Sequence, residues 1–231
     1  MIELSRRDGA VAGPIHTVVV LAALAVWVLG PQVFGRPLTR LGPRPADLYL
    51  LTAATEWLVV GVISLGIWYS GAPFSAIFGD RWRSWGQLLR DIAVAAAFWI
   101  AALLLLWLLS LAWRFAPTRN LQPLLPQGRT DLILWVGLSI SAGVCEEAIF
   151  RGYLQRQFIA LTRSAPAGIA LSAALFGAAH AYQGARMILP LGFYGAMFGV
   201  LAYWRRNVRP GMIAHAWHDA LFGVAVSLMR H

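Results

Sequence analysis

A chain of 231 residues that is 59% hydrophobic and only 13% charged lies far from soluble proteins, of which about a quarter of residues are charged. Its apolar runs recur along the whole length, and about 20 such residues suffice for one membrane crossing. An ordinary soluble domain is thereby excluded, because no soluble core could absorb that much apolar surface. The net charge of +9 comes from 19 basic residues, all arginine. They punctuate the connections between apolar runs, where arginines set orientation and meet anionic headgroups; there is no basic domain for a nucleic-acid partner. The single cysteine, Cys145, excludes an intramolecular disulfide and any multi-cysteine metal site.

Seven spans are predicted in chain order. Ile15–Phe34 follows Arg6 and Arg7 like a signal sequence, but Gly30-Pro31 comes with no small-x-small cleavage pattern, so it is read as a retained helix. Leu48–Tyr69 carries Glu56. Phe74–Arg90 sets Trp82, Trp85, Leu88 and Leu89 among Arg81, Arg83 and Arg90, a pattern that predicts an interfacial amphipathic helix. Ile92–Trp113 is uncharged throughout. Leu132–Phe150 ends in a pair of glutamates and Ala167–Tyr182 is short for a full crossing. Met187–Trp204 holds Gly192, Gly195 and Gly199, the last two at the spacing that lets helices approach closely. Met212–Met229 closes the series. A backbone in lipid must satisfy its own hydrogen bonds, so these runs are helices. The connections are short. The expected fold is all-α: one polytopic transmembrane bundle over residues 1–231, with an active-site cavity formed by the last four helices.

The informative residues are the ionisable ones at bilayer depth, each costing about 2.5–3.5 kcal/mol at a helix centre unless partnered or functional. They are Glu56, Glu146, Glu147, Arg151, His180, His215, His218 and Asp219, all but Glu56 after Cys145. Glu147 and Arg151 lie one turn apart in the favourable acid-before-base order, which predicts an intrahelical pair. Glu146 points about 100° away and has no partner on its own helix, so it is free to take a proton as a general base must. His180 follows Phe176 by one turn. His215 and Asp219 share one face of the last helix, with His218 able to reach the same side. Three helices thus deliver polar groups to one place. Cys145 is read as a small packing residue. For Glu56 the default is structural pairing with Arg151, with capping of the cavity or a partner subunit as the other roles.

Glu146-Glu147-x-x-x-Arg151, Phe176-x-x-x-His180 and His215-x-x-x-Asp219, in this order on successive apolar segments, resemble the motifs of the CAAX-protease and bacteriocin-processing (CPBP) intramembrane proteases. That family includes the type II CAAX prenyl endopeptidases. The resemblance runs from about Leu132 to Met229. It implies peptide-bond hydrolysis within the membrane: Glu146 with His180 activates a water, while His215 and the residue at Asp219 stabilise the oxyanion. Glu147, Arg151 and Phe176 are supporting residues. The prenyl proteases have Asn where this chain has Asp219, and an ionised Asp cannot donate a hydrogen bond. Asp219 is therefore protonated, or orients His215, or belongs to a metal site. Members are often labelled metalloproteases, and Glu146, His180 and His215 are the candidate zinc ligands. No His-Glu-x-x-His helix is present, and glutamate-type catalysis without an obligatory metal is the favoured reading.

The partners expected are a protein or peptide substrate and the lipid bilayer. The all-arginine composition and short loops point to a bacterial inner membrane, where a leader peptide or a C-terminal tail suits better than a prenylated substrate. Two other classes are weighed. A proton-coupled transporter also buries Glu, His and Asp, but spreads them along a path. A non-catalytic scaffold or immunity protein of the same family would tolerate loss of Glu146 or His180, and both are present.

Overall fold

The computed structural model describes residues 9–34, 44–113 and 124–229. The described chain forms eight helices and contains no strand. They are α1 (Pro14–Phe34), α2 (Pro45–Ser70), the four-residue α3 (Ser75–Phe78), α4 (Trp85–Trp113), α5, α6 (Ala165–Ala179), α7 (Ile188–Arg205) and α8 (Arg209–Met229). Helix α5 is composite: Arg129–Glu146 is α-helical, Glu147–Leu154 is π-helical, and Gln155–Thr162 is α-helical again.

Among the described residues, five helices are long and apolar enough to cross a membrane, at Pro45–Ser70, Trp85–Leu111, Arg129–Thr162, Ala185–Arg205 and Arg209–Met229. The apolar helices at Pro14–Val26 and Ala165–Ala179 are shorter. At 15 residues, α6 spans only about 22 Å against a hydrocarbon core of about 30 Å. Its start is fixed by the Ser164 hydroxyl, which accepts from the Ala167 N–H at 3.3 Å, with Pro166 in the first turn where its missing N–H costs nothing. It ends three residues before the predicted boundary, at Ala179, because His180 turns the chain into two short 3₁₀ segments, Ala181–Gln183 and Ala185–Met187.

Two sequence expectations are corrected here. The span expected to stop at Phe150 continues to Thr162, since nothing in its next turns breaks a helix. The expected amphipathic helix over Phe74–Arg90 is instead the short α3, a non-helical stretch and the first turns of α4. Gly79 stops α3 with φ at 75°, a conformation open mainly to glycine. Beyond it the Trp82 indole N–H turns inward to a buried carboxylate, Asp91, at 2.9 Å. Arg6 and Arg7 lie outside the described residues.

Helix α8 packs on α5, α6 on α7, and α2 on α5. The α5–α8 contact depends on Gly143: a Cβ there would meet the Met212 carbonyl and the Ala216 amide of α8 at 2.8 Å. Gly195 of α7 packs on the Phe176 ring and Gly199 against Gln155 and Ile169. Polar ties hold the N-terminal half. His16 of α1 bonds the Tyr153 hydroxyl at 2.6 Å and the Val62 carbonyl at 2.9 Å, and Gln157 bonds the backbone of Val11 and Ala12. Asp91 of α4 accepts from Arg205 of α7 at 3.1 Å.

Replacing Gly143 by alanine is expected to lower stability by about 1–3 kcal/mol through overpacking. Gly137→Ala on the same helix has open space and is expected to be neutral or stabilising by up to about 1 kcal/mol. Thermal unfolding in detergent, followed by circular dichroism, checks the order; equal melting temperatures would contradict the close α5–α8 approach.

Candidate active site

The site is built on the π-helical turn of α5. A π turn bonds each N–H to the carbonyl five residues back, and the Gln155 N–H accordingly reaches the Phe150 carbonyl. That carbonyl also takes the Ser172 hydroxyl of α6 at 2.7 Å. Such turns are uncommon and frequent at functional sites. Gly152 permits this one to lie against the Ile77 backbone, which a Cβ would meet at 2.6 Å.

Glu147 and Arg151 are fully buried and joined by an Nη1–Oε1 bond of 2.8 Å. The other guanidinium nitrogen donates to the Gly195 carbonyl of α7 at 3.0 Å. The guanidinium carbon lies 4.4 Å from the Phe176 ring centre and 5.1 Å from that of Phe198. The same Glu147 Oε1 accepts from His215 Nδ1 at 3.1 Å. One carboxylate thus ties α5 to α8 and, through Arg151, to α7. A buried ion pair survives only with such further hydrogen bonds.

Glu146 takes no part in this ion pair. Its Oε2 is 3.8 Å from His180 Nε2 and 3.7 Å from His215 Nε2, beyond direct hydrogen bonding, and has no hydrogen-bond partner among the described residues. His180 Nδ1 lies 2.8 Å from the Phe176 carbonyl. A carbonyl only accepts, so Nδ1 carries the proton, and a neutral His180 presents the bare lone pair of Nε2 to Glu146. The two groups are acceptors facing one gap, able to hold both protons of one water. On the other side, Glu147 holds the Nδ1–H of His215, so a proton on Nε2 would point as a donor towards Asp219, whose Oδ2 is 3.6 Å away. The orientation of His215 therefore comes from Glu147. Asp219 is partly exposed, and its backbone carbonyl takes the Trp135 indole N–H at 2.8 Å. Phe176 underlies the cluster, its ring 4.4 Å from His180 and 6.1 Å from His215.

The remaining candidates are placed as follows. His218 packs on the ring of Tyr194 at 5.1 Å. Cys145 is free and buried, its sulfur 4.0 Å from the Ser141 hydroxyl. Glu56 does not pair with Arg151, whose guanidinium is committed to Glu147 and Gly195. It is buried in α2, its Oε2 lacks a hydrogen-bond partner among the described residues, and it lies within electrostatic reach of Glu146, His215 and Asp219. The sequence reading overlooked Tyr194, buried with an unpartnered hydroxyl. The signal available for it was an aromatic hydroxyl in an otherwise apolar span.

Tetrahedral zinc with bonds of about 2.0–2.1 Å brings its ligand atoms to about 3.4 Å from each other. Glu146 Oε2 stands wider than this from both imidazoles, at 3.8 and 3.7 Å. Among the described residues no three His, Cys, Asp or Glu side chains converge on a metal position.

Fold and site define the class: a helical integral membrane protein with a glutamate–histidine cluster buried between its C-terminal helices. Residues 128–221 match the family described as type II CAAX prenyl endopeptidase Rce1-like, and the chain carries a domain of this protease family. No curated protein and no solved structure matches the chain.

Removing one partner of the buried pair, as in Arg151→Met, leaves an uncompensated charge and is expected to cost about 3–5 kcal/mol. Combining it with Glu147→Gln should recover part of that loss. Melting temperatures of both variants in detergent check this; a single variant as stable as wild type would contradict the pair.

Proposed function

We propose that the protein is an intramembrane endopeptidase that hydrolyses a peptide bond close to the membrane, in a leader peptide or C-terminal tail, by a glutamate-activated water. The observation that carries the reading is the unpartnered Glu146 Oε2 facing both His180 and His215 within a domain of a protease family. A water held by Glu146 and His180 gives one proton to Glu146 as its oxygen attacks the scissile carbonyl carbon. The carbonyl π pair moves onto oxygen, and His215 donates to that oxyanion from Nε2. Collapse breaks the C–N bond, and the amine leaves with the proton from Glu146. Glu147, Arg151 and Phe176 hold the histidines in place.

The two shorter apolar helices complete a bundle of seven spans in this reading. The protein resides in a bacterial inner membrane. Catalysis requires no metal in this reading, since Glu146 and His180 face one gap and can hold the water themselves. Activity should survive exhaustive chelation; a loss reversed by added zinc would overturn this part of the reading.

The main test compares protein N- and C-termini across the host proteome between cells expressing wild type and cells expressing Glu146→Gln at matched levels. A small set of termini present only with wild type is expected, and His180→Ala should reduce them by about 10²–10⁴-fold in rate. Identical termini in all strains, with folded protein present, would overturn proteolysis.

A further inference from the structure

We infer that the Tyr194 hydroxyl is a second oxyanion donor beside His215. The inference rests on the proteolytic reading above. Tyr194 lies on α7, which contributes none of the family motif residues. Its side chain is 3% exposed, and its hydroxyl has no hydrogen-bond partner among the described residues. A buried hydroxyl left unpaired costs about 1–3 kcal/mol, and such groups in native proteins call for an explanation, often a ligand or a catalytic role.

Its position favours catalysis. The ring is clamped between Phe198, 4.8 Å away, and His218, 5.1 Å away. Phe198 in turn lies 5.3 Å from the His215 ring. The next residue along α7, Gly195, gives its carbonyl to Arg151, so the ion pair that sets His215 also sets the helix carrying Tyr194. The hydroxyl lies within electrostatic reach of Asp219, Glu147, Arg151 and Glu146.

The chemistry of the site leaves a vacancy for this group. His215 Nε2 is the donor so far assigned to the oxyanion, and Asp219, whose Oδ2 stands 3.6 Å from it, could in its ionised form only accept. A phenol is a neutral donor that adds no charge to the buried acids. As water attacks and the carbonyl electron pair moves onto oxygen, Tyr194 donates a hydrogen bond to the oxyanion and keeps its proton. The bond is released when the C–N bond breaks and the carbonyl re-forms.

The test uses full-length protein in proteoliposomes, with membrane proteins extracted from a host strain lacking it as substrate. New termini are timed by quantitative mass spectrometry, with enzyme in excess and at two concentrations giving the same rate, so that substrate binding does not limit. Tyr194→Phe keeps the ring and removes only an unpartnered hydroxyl. Its melting temperature should equal or exceed that of wild type, while the cleavage rate falls by about 10²–10³-fold. Adding Asp219→Asn, which places an amide donor at the last motif position, should recover part of the rate; a purely structural hydroxyl would show no such rescue. A Tyr194→Phe rate within about threefold of wild type, beside an inactive Glu146→Gln, would overturn the Tyr194 role and leave proteolysis standing. Wild-type rates in both variants would overturn the two together.

Discussion

The site depends on one carboxylate with no access to water. Glu147 accepts from Arg151 on its own helix and from His215 on α8, while Arg151 reaches the α7 backbone. A lone ion at this depth would be prohibitively costly. Its cost is met only while three helices keep their registers, so the pair acts as a geometric lock more than as a source of stability. Gly211 belongs to the same lock, because a Cβ there would crowd the second Glu147 oxygen at 3.0 Å. With His215 fixed at Nδ1, its Nε2 can point only towards Glu146 and Asp219.

The adjacent glutamates differ because their surroundings differ. Glu147 Oε1 is committed to Arg151 and His215, whereas Glu146 has two imidazoles just beyond bonding distance; the Oε2 of each glutamate lacks a hydrogen-bond partner among the described residues. The first holds shape and the second is left for chemistry. The N-terminal half supports this division without sharing the motifs. His16 and Gln157 tie the first helix to α5, Asp91 ties α4 to α7, and Glu56 adds a buried carboxyl to the same electrostatic field.

Spacing alone predicts that Glu147 and Arg151 pair and that His215 and Asp219 lie on one face, because residues four apart share a helix face; the approach of Glu146 and His180 to them is a tertiary contact that spacing does not reach. Apolar length located the helices but missed the continuation of α5 to Thr162 and the start of α4 at Trp85. What the sequence hid was set by tertiary contacts. The π turn has no local code; it is stabilised by Ser172 reaching the Phe150 carbonyl and by Ile77 lying against Gly152. The turn inward at Trp82 depends on Asp91, whose burial needs Arg205 and Asn207 from the far end of the chain. The pairing of Glu147 with His215 likewise joins helices 68 residues apart, a distance no periodicity spans.

The central claim is that Glu146 delivers a water to a peptide carbonyl. Its most direct test is hydrolysis in water enriched in oxygen-18, with purified protein in proteoliposomes and membrane proteins from a strain lacking it. Each cleavage should leave one heavy oxygen in a newly formed C-terminal carboxylate, and these labelled termini should appear with wild type and not with Glu146→Gln. Wild type that forms no labelled termini, or a Glu146→Gln variant that forms them equally fast, would contradict the account.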